Sequence, residues 1–458
     1  MPIPIVQRVT AGAIAAVDRL RPPARSPLAP GVPAVRVPPR SVALPMSEWL
    51  VVGGLALALI WSRFAWVLPF DIPNQVEHLP GMIVTAGLAL TFFGGALRPR
   101  RASVSLAAPT PLRMLWPLML LAAWVLVGSL YAQLALDITT TFRSLGVYML
   151  FALLIAHVVA RSLATVRLVT WYFVVLAVAG VVSVVVAGVL FATSGRAAFH
   201  ELEFLVIPLV VYVATLRPQM RLRDTVLVWS GIASIVLFSK NTGYLTALVV
   251  VAYLWWMHWR VTTHRAIAVR RTLQWLLGAA LLAGAVGAYT YLRSTQSAAI
   301  PSGNTEFRVH MYGLAWQRFL DSPLWGQAYA ASAVQRFTLY EIRRPGNILP
   351  THSDLLDILS HGGLLGIGLW LAAHVKLLGN TWRQVLARRG ELAPHVVAMA
   401  HTFTCMVLAG VVTYAFNPLL LDPTRALVVW GQFGLLAGLT CSLAAARHAG
   451  LARDPAEP

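Results

Sequence analysis

The segment 350–357, PTHSDLLD, gathers a histidine and two carboxylates just ahead of a long run of leucines and glycines. Thr351 to Asp354 has the pattern of a capping box, with Thr351 as N-cap and Asp354 at the third helical position. That register puts His352 in the first turn of a helix. Free N–H groups in a first turn favour anions. The same field disfavours imidazolium, so the ring is expected to be neutral at neutral pH and able to accept a proton. His352 is therefore the candidate general base, the alternative being a histidine that only helps to solvate a helix start. Asp354 is read as a supporting residue held by the cap. Asp357 and His361, spaced i, i+4, can pair on one helix face. No second cluster of ligating side chains accompanies them, so neither a metal site nor a cofactor is expected.

Four cations have settings that fit an anionic substrate. Arg196 lies in ATSGRAAFHELEF beside His200, Glu201 and Glu203; its structural alternative is pairing with Glu201 or snorkelling to water. Lys240, in LFSKNTGYLTAL, precedes a helix start that Asn241 or Thr242 can cap, where an anion would be welcome. Arg308, in GNTEFRVHMYGLAWQRFLDSPLWG, is placed in the first turn of an amphipathic helix whose apolar face holds Phe307, Met311 and Leu314. A cation there opposes its own helix dipole, which suggests another partner such as a phosphate, or a bridge to Glu306. Arg143 sits at the edge of an apolar segment, and intramembrane charges are functional candidates. Arg63 is weighted lower because Asp71 is close in sequence. His310 and Tyr312, on the helix of Arg308, are candidates for supporting roles.

The elements that must position these residues are membrane helices. The 458-residue chain is 58% hydrophobic and only 12% charged, against about 25% charged in soluble domains. Uncharged runs of about 18 residues or more recur, each enough to cross hydrocarbon. They lack the alternation of an outer-membrane barrel. The fold class is an all-α polytopic membrane protein. Twelve spans are expected, at 48–68, 79–97, 112–130, 141–160, 166–192, 203–216, 225–238, 242–258, 272–292, 355–378, 395–416 and 425–446.

Every second connection is basic, and together these segments hold most of the 36 Lys and Arg residues. By the positive-inside rule both termini are cytoplasmic. The net charge of +19 is thus a topology signal, and no nucleic-acid partner is expected. Residues 1–46 have no apolar core of a signal peptide; they read as a disordered cytoplasmic tail, or in part as an over-called start. The organisation is then 47–292 with nine spans, 293–354 as one long external loop ending in the catalytic helix start, 355–446 with three spans, and 447–458 as a cytoplasmic tail. Cys405 and Cys441 both lie in apolar segments, so no structural disulfide is expected. A long loop in a compact protein is usually functional, which puts the chemistry outside.

THSDLLDILSHGGLLGIGLW resembles the His-(Asn/Ser)-x-x-Leu…Gly-Leu-x-Gly signature of the O-antigen ligase and polymerase superfamily. FRVHMYGLAWQRFLDSPLWGQA is similar to that family's Arg-x-x-x-Trp/Tyr…Ala…Asp/His-x-Pro-Leu-x-Gly segment. The resemblance is specific over 308–370 and architectural elsewhere. It implies a GT-C-like glycosyltransferase of the bacterial inner membrane that moves a glycan from undecaprenyl pyrophosphate, without a metal, on the periplasmic face. For an O-antigen ligase, the partners are undecaprenyl-pyrophosphate-linked O-antigen, the lipid A–core acceptor and membrane lipids. His352 would deprotonate the acceptor; Arg196 and Arg308, then Lys240 and Arg143, would hold pyrophosphate. One departure stands out: Asn241-Thr242-Gly243 replaces a Ser-Arg-Gly turn, leaving Lys240 as the nearby cation.

Within the superfamily, the eleventh residues after Arg196, Arg308 and Arg143 are Ile207, Phe319 and Leu154, so the Arg-x10-Gly motif expected of a polymerase is missing. A chain ending soon after its last span, without a large periplasmic domain, favours the ligase over a protein O-oligosaccharyltransferase. A secondary transporter is the alternative of another class; repeats and midplane polar groups would mark it, and the polar residues here cluster at the outer edge.

Overall fold

The computed structural model describes residues 46–64, 79–96, 110–131, 136–161, 165–194, 203–216, 220–238, 242–261, 303–326, 353–417 and 423–451, with isolated helical turns between 269 and 284. The chain divides into Met1–Arg36 and Val37–Pro458, and all of these residues lie in the second unit.

Among the described residues the fold is all helical. The helices are α1 (Met46–Phe64), α2 (Leu79–Ala96), α3 (Pro111–Tyr131), α4 (Leu136–Arg161), α5 (Thr165–Ser194), α6 (Glu203–Leu216), α7 (Leu222–Phe238), α8 (Thr242–Val261), α9 (Gly303–Asp321), α10 (Asp354–Gln384), α11 (Pro394–Phe416) and α12 (Pro423–Leu451). A 3-10 segment, Leu386–Glu391, joins α10 to α11. Four stretches are long and apolar enough to cross a membrane: Pro111–Gly128, Asp354–Arg389, Pro394–Phe416 and Arg425–Arg447. Shorter apolar helices occupy Met46–Ile60, Leu79–Phe93, Gly146–Arg161, Val169–Val182, Val206–Leu216 and Thr242–Met257. Each span expected from the sequence falls on one of these helices except 272–292, which lies mostly outside the described residues. The chain is a multi-pass helical membrane protein.

α11 and α12 form the centre. Trp430, Tyr414, Phe403 and Phe433 on them are fully buried, and Tyr172 of α5 stacks on Phe403 with centroids 6.1 Å apart. α12 lies directly on α4 because Gly434 and Gly438 face its backbone: a Cβ there would sit 2.6 Å from the Ala152 carbonyl oxygen and 2.7 Å from that of Ala156. Small residues of this kind let membrane helices approach closely. Several hydroxyls in this core are paired internally, as the absence of water favours. The Thr402, Thr404 and Thr413 hydroxyls donate to carbonyls four residues back, at 2.7, 2.8 and 2.9 Å. The Tyr253 hydroxyl of α8 bonds Nδ1 of His401.

α10 corrects the expected span 355–378. It is two limbs, 354–362 and 364–384, meeting at Gly363, whose φ of 59° and ψ of −156° are not helical. The fold-back is sharp: a Cβ on Gly366 would lie 3.2 Å from the Ile358 carbonyl oxygen. The long limb alone, at about 1.5 Å per residue, covers roughly 30 Å and can cross the hydrocarbon. Into the break fits the turn Ser322–Gly326 that follows α9. The Leu364 and Leu365 amides, the first of the long limb, donate to the carbonyls of Pro323 and Leu324 at 2.8 and 3.2 Å. Gly326, at φ 65°, lies so close that its Cβ would be 2.5 Å from the His361 carbonyl carbon, and a Cβ on Gly363 would be 2.5 Å from the Gly326 nitrogen. Neither position admits a side chain.

The long limb is braced to α11 by a buried pair. His374 Nδ1 lies 2.9 Å from the Trp370 carbonyl oxygen, which can only accept, so this nitrogen carries the proton in the neutral ring. Nε2 then accepts from the Tyr414 hydroxyl at 2.6 Å.

Three stability predictions test this packing. Gly363→Ala adds a left-handed backbone cost of about 1–2 kcal/mol to a backbone clash of similar size, and should lower the melting temperature of detergent-purified protein by several degrees. Gly313→Ala, at a helical site with nothing within 4 Å, should be neutral or slightly stabilising in the same melt. Tyr414→Phe keeps the ring but orphans buried Nε2 of His374, at an expected cost of about 1–3 kcal/mol; an unchanged melt would contradict the brace.

Candidate functional site

Three helix starts meet the C-terminal end of α11. The last carbonyls of a helix have no partner within it, and here they receive them from other elements. Asn417, the extended C-cap residue, donates from Nδ2 to the Thr413 carbonyl at 3.2 Å and to the Thr242 hydroxyl at 3.3 Å. It thereby ties α11 to the first residue of α8. Arg308 of α9 donates from Nη1 to the Phe416 carbonyl at 3.4 Å. From the third side, the Asp354 carboxylate at the start of α10 acts electrostatically on the Tyr414 hydroxyl in the last turn of α11.

The register at α10 corrects the capping box. The N-cap is Ser353, whose hydroxyl accepts from the Leu356 amide at 3.3 Å, and Asp354 is the first helical residue, 2% exposed. A serine with extended φ and ψ caps as well as the threonine two residues earlier, so the pattern admitted both registers. His352 therefore precedes the N-cap and does not stand in the first turn, and the field argument for a neutral ring loses its assumed geometry. His352 and Thr351 themselves lie outside the described residues.

Arg308 also differs from expectation. α9 begins at Gly303, so Arg308 falls in the second turn and not the first. Its partner is the carbonyl end of α11, where a cation is favoured. Its Nε is buried and makes no hydrogen bond among the described residues. The expected apolar face of α9 is present: Met311 and Ala315 are buried, Leu314 is half-buried, and Trp316 and Leu320 are exposed. Tyr312 is half-buried on the same helix.

Arg196, Lys240 and Asn241 lie outside the described residues. Thr242 is helical and buried at the start of α8 and does not act as its cap. Lys240 thus precedes in sequence the helix start that Asn417 holds. α4 begins at Leu136, so Arg143 lies within that helix, just ahead of its apolar stretch Gly146–Arg161. The side chains of Arg143, Arg63 and His310 are not described. Asp357 and His361 share a third member that the sequence reading missed. Arg318 of α9 acts electrostatically on both. Burial draws the Arg318 guanidinium below its ordinary pKa, and the Asp357 carboxylate works the other way.

Of the residues missed, Asn417 carried a usable signal, since an asparagine just after an apolar run marks a helix stop. Tyr414 gave none, being one aromatic in an apolar segment. Among the described residues no group of three or more His, Cys, Asp or Glu side chains gathers as a metal-ligand set.

Residues 226–371 match the family model described as O-antigen ligase. The match runs from α7 through α8, α9 and the short limb of α10 into its long limb, and so includes Arg308, Thr242 and Asp354. No curated protein matches the chain. The matched stretch holds both the Arg308 helix and the broken helix of Asp354, and over it the chain is similar to the O-antigen ligase family.

Proposed function

We propose that the protein is an O-antigen ligase. It transfers O-antigen polysaccharide from undecaprenyl pyrophosphate to a sugar hydroxyl of lipid A–core, on the periplasmic face of a bacterial inner membrane. The observation that carries this reading is Arg308 at the meeting point of three helix starts, inside the stretch that matches the ligase family. The architecture proposed is a GT-C-like bundle of about twelve spans with both termini cytoplasmic and 293–354 as its periplasmic loop.

In the proposed mechanism the donor pyrophosphate lies against the helix starts, where unpaired N–H groups favour anions. Arg308 turns its free donors to the phosphate oxygens, joined by Arg196, Lys240 and Arg143. His352 accepts the proton of the acceptor hydroxyl as that oxygen attacks the anomeric carbon. The bond from that carbon to the pyrophosphate oxygen breaks, and undecaprenyl pyrophosphate leaves with the electron pair. The arginines stabilise the charge that grows on it. One displacement inverts the anomeric centre. Asp354, His310 and Tyr312 are the proposed supporting residues. No Asp-x-Asp motif stands in the external segments to bridge pyrophosphate through a divalent ion, and cationic side chains are assigned that work.

The test is a lipopolysaccharide gel from a ligase-deficient host complemented with the gene. A restored ladder is expected. Accumulation of lipid-linked polymer in its place would mean a polymerase. His352→Ala and Arg308→Ala should each abolish the ladder while the protein still reaches the membrane, and full ladders from both would sink the assigned site. Purified enzyme should keep its activity in excess EDTA; loss restored by Mg²⁺ would overturn the metal-free mechanism.

A further inference from the structure

The backbone clasp between the Ser322–Gly326 turn and α10 holds the long limb, because its hydrogen bonds go to Leu364 and Leu365. It also meets the short limb at the pivot, where Gly326 lies against the backbone of His361 and Gly362. The far end of the short limb, which leads to His352, lies about 13 Å away at 1.5 Å per residue. The hydrogen bonds of the clasp do not reach that end.

α9 packs along α10. Arg318 stands on α9 one turn before Ser322, the start of the clasp. Asp357, the residue on which it acts, lies well out along the short limb from the pivot, and His361 lies next to the pivot. Both are on one face at i, i+4 spacing. Arg318 is half-buried, and His361 is 5% exposed. α9 is itself tied at its other end through Arg308 to the Phe416 carbonyl.

We infer that Arg318 is a positioning residue: gripping the short limb through Asp357, it fixes the segment of His352 relative to Arg308 on the same α9. This rests on the reading of those two residues as base and pyrophosphate ligand. The pull is electrostatic and partly desolvated, so removing one charge leaves the other uncompensated in the junction. A displacement of about 1 Å between base and leaving-group ligand costs on the order of a hundredfold in rate.

The test joins a distance to a rate. Spin labels on Gln317→Cys in α9 and Leu359→Cys in the short limb report the angle between them in full-length protein reconstituted in liposomes. The parent should give one narrow distance distribution. Arg318→Leu should broaden it and cut kcat by about tenfold or more, with KM for the lipid-linked donor nearly unchanged. Arg318→Lys, which keeps the charge, should restore much of both. If Arg318→Leu does not fold, the isosteric Asp357→Asn removes the same tie and should give the same pair of changes. A distribution left narrow, or a broadened one with kcat unaltered, overturns the inference. Wild-type protein that transfers no glycan would instead overturn the proposed function, and the width comparison would still decide whether Arg318 holds the limb.

Discussion

The last carbonyls of a helix have no partner within it and need one from elsewhere. α11 ends under that constraint, and its solution organises this end of the bundle. Asn417 takes the Thr413 carbonyl and reaches Thr242, so the start of α8 is drawn to the same place. Arg308 takes the Phe416 carbonyl and brings α9. The contact that places Arg308 is long, at 3.4 Å, and in the proposed reaction its guanidinium turns to the donor while the helix that carries it stays put.

The break at Gly363 solves a second geometric problem. A straight helix from Asp354 to Gln384 would carry Asp354 far from the outer ends of α8, α9 and α11. Folding back at Gly363 lets one segment both span the hydrocarbon and present a helix start at the cluster. The freed amides of Leu364 and Leu365 are satisfied by the turn after α9, as any interrupted membrane helix requires. The two sequence segments that resemble the superfamily are thus the two halves of one backbone junction. Their short, glycine-rich, mostly apolar character follows from it: Gly326 and Gly363 leave no room for a Cβ, and the bonds between them are made by the main chain.

The helices were legible because their signal is compositional: apolar runs separated by arginines read directly as spans. The amphipathic α9 was legible from its periodicity. The break in α10 was not, because HGGLLGIG reads equally as glycines for close helix packing, and only the partner turn at 322–326 distinguishes a hinge from a groove. The N-cap was misread because Thr351 and Ser353 offer equivalent side-chain oxygens, and tertiary contacts chose between them. Arg308 was found for a reason that does not hold, its own helix dipole, when the carbonyl end of α11 is what it serves. Arg318 was overlooked because its partners are far in sequence, and pairwise charge across a loop leaves no local pattern.

The polar contacts around the junction differ in length and burial. Deep contacts are short and buried: Tyr414 to His374 at 2.6 Å and His374 to Trp370 at 2.9 Å. At the rim they lengthen to 3.4 Å for Arg308 to Phe416 and 3.3 Å for Asn417 to Thr242 and for Ser353 to Leu356. Hydrogen bonds weaken with length, and more so where water competes. Local opening is cheapest where contacts are few and exposed. The exposed Arg308 contact is therefore the one that yields first, without disturbing the braces beneath it. What the rim lacks in rigidity has to come from one layer below, where α9 meets the short limb of α10.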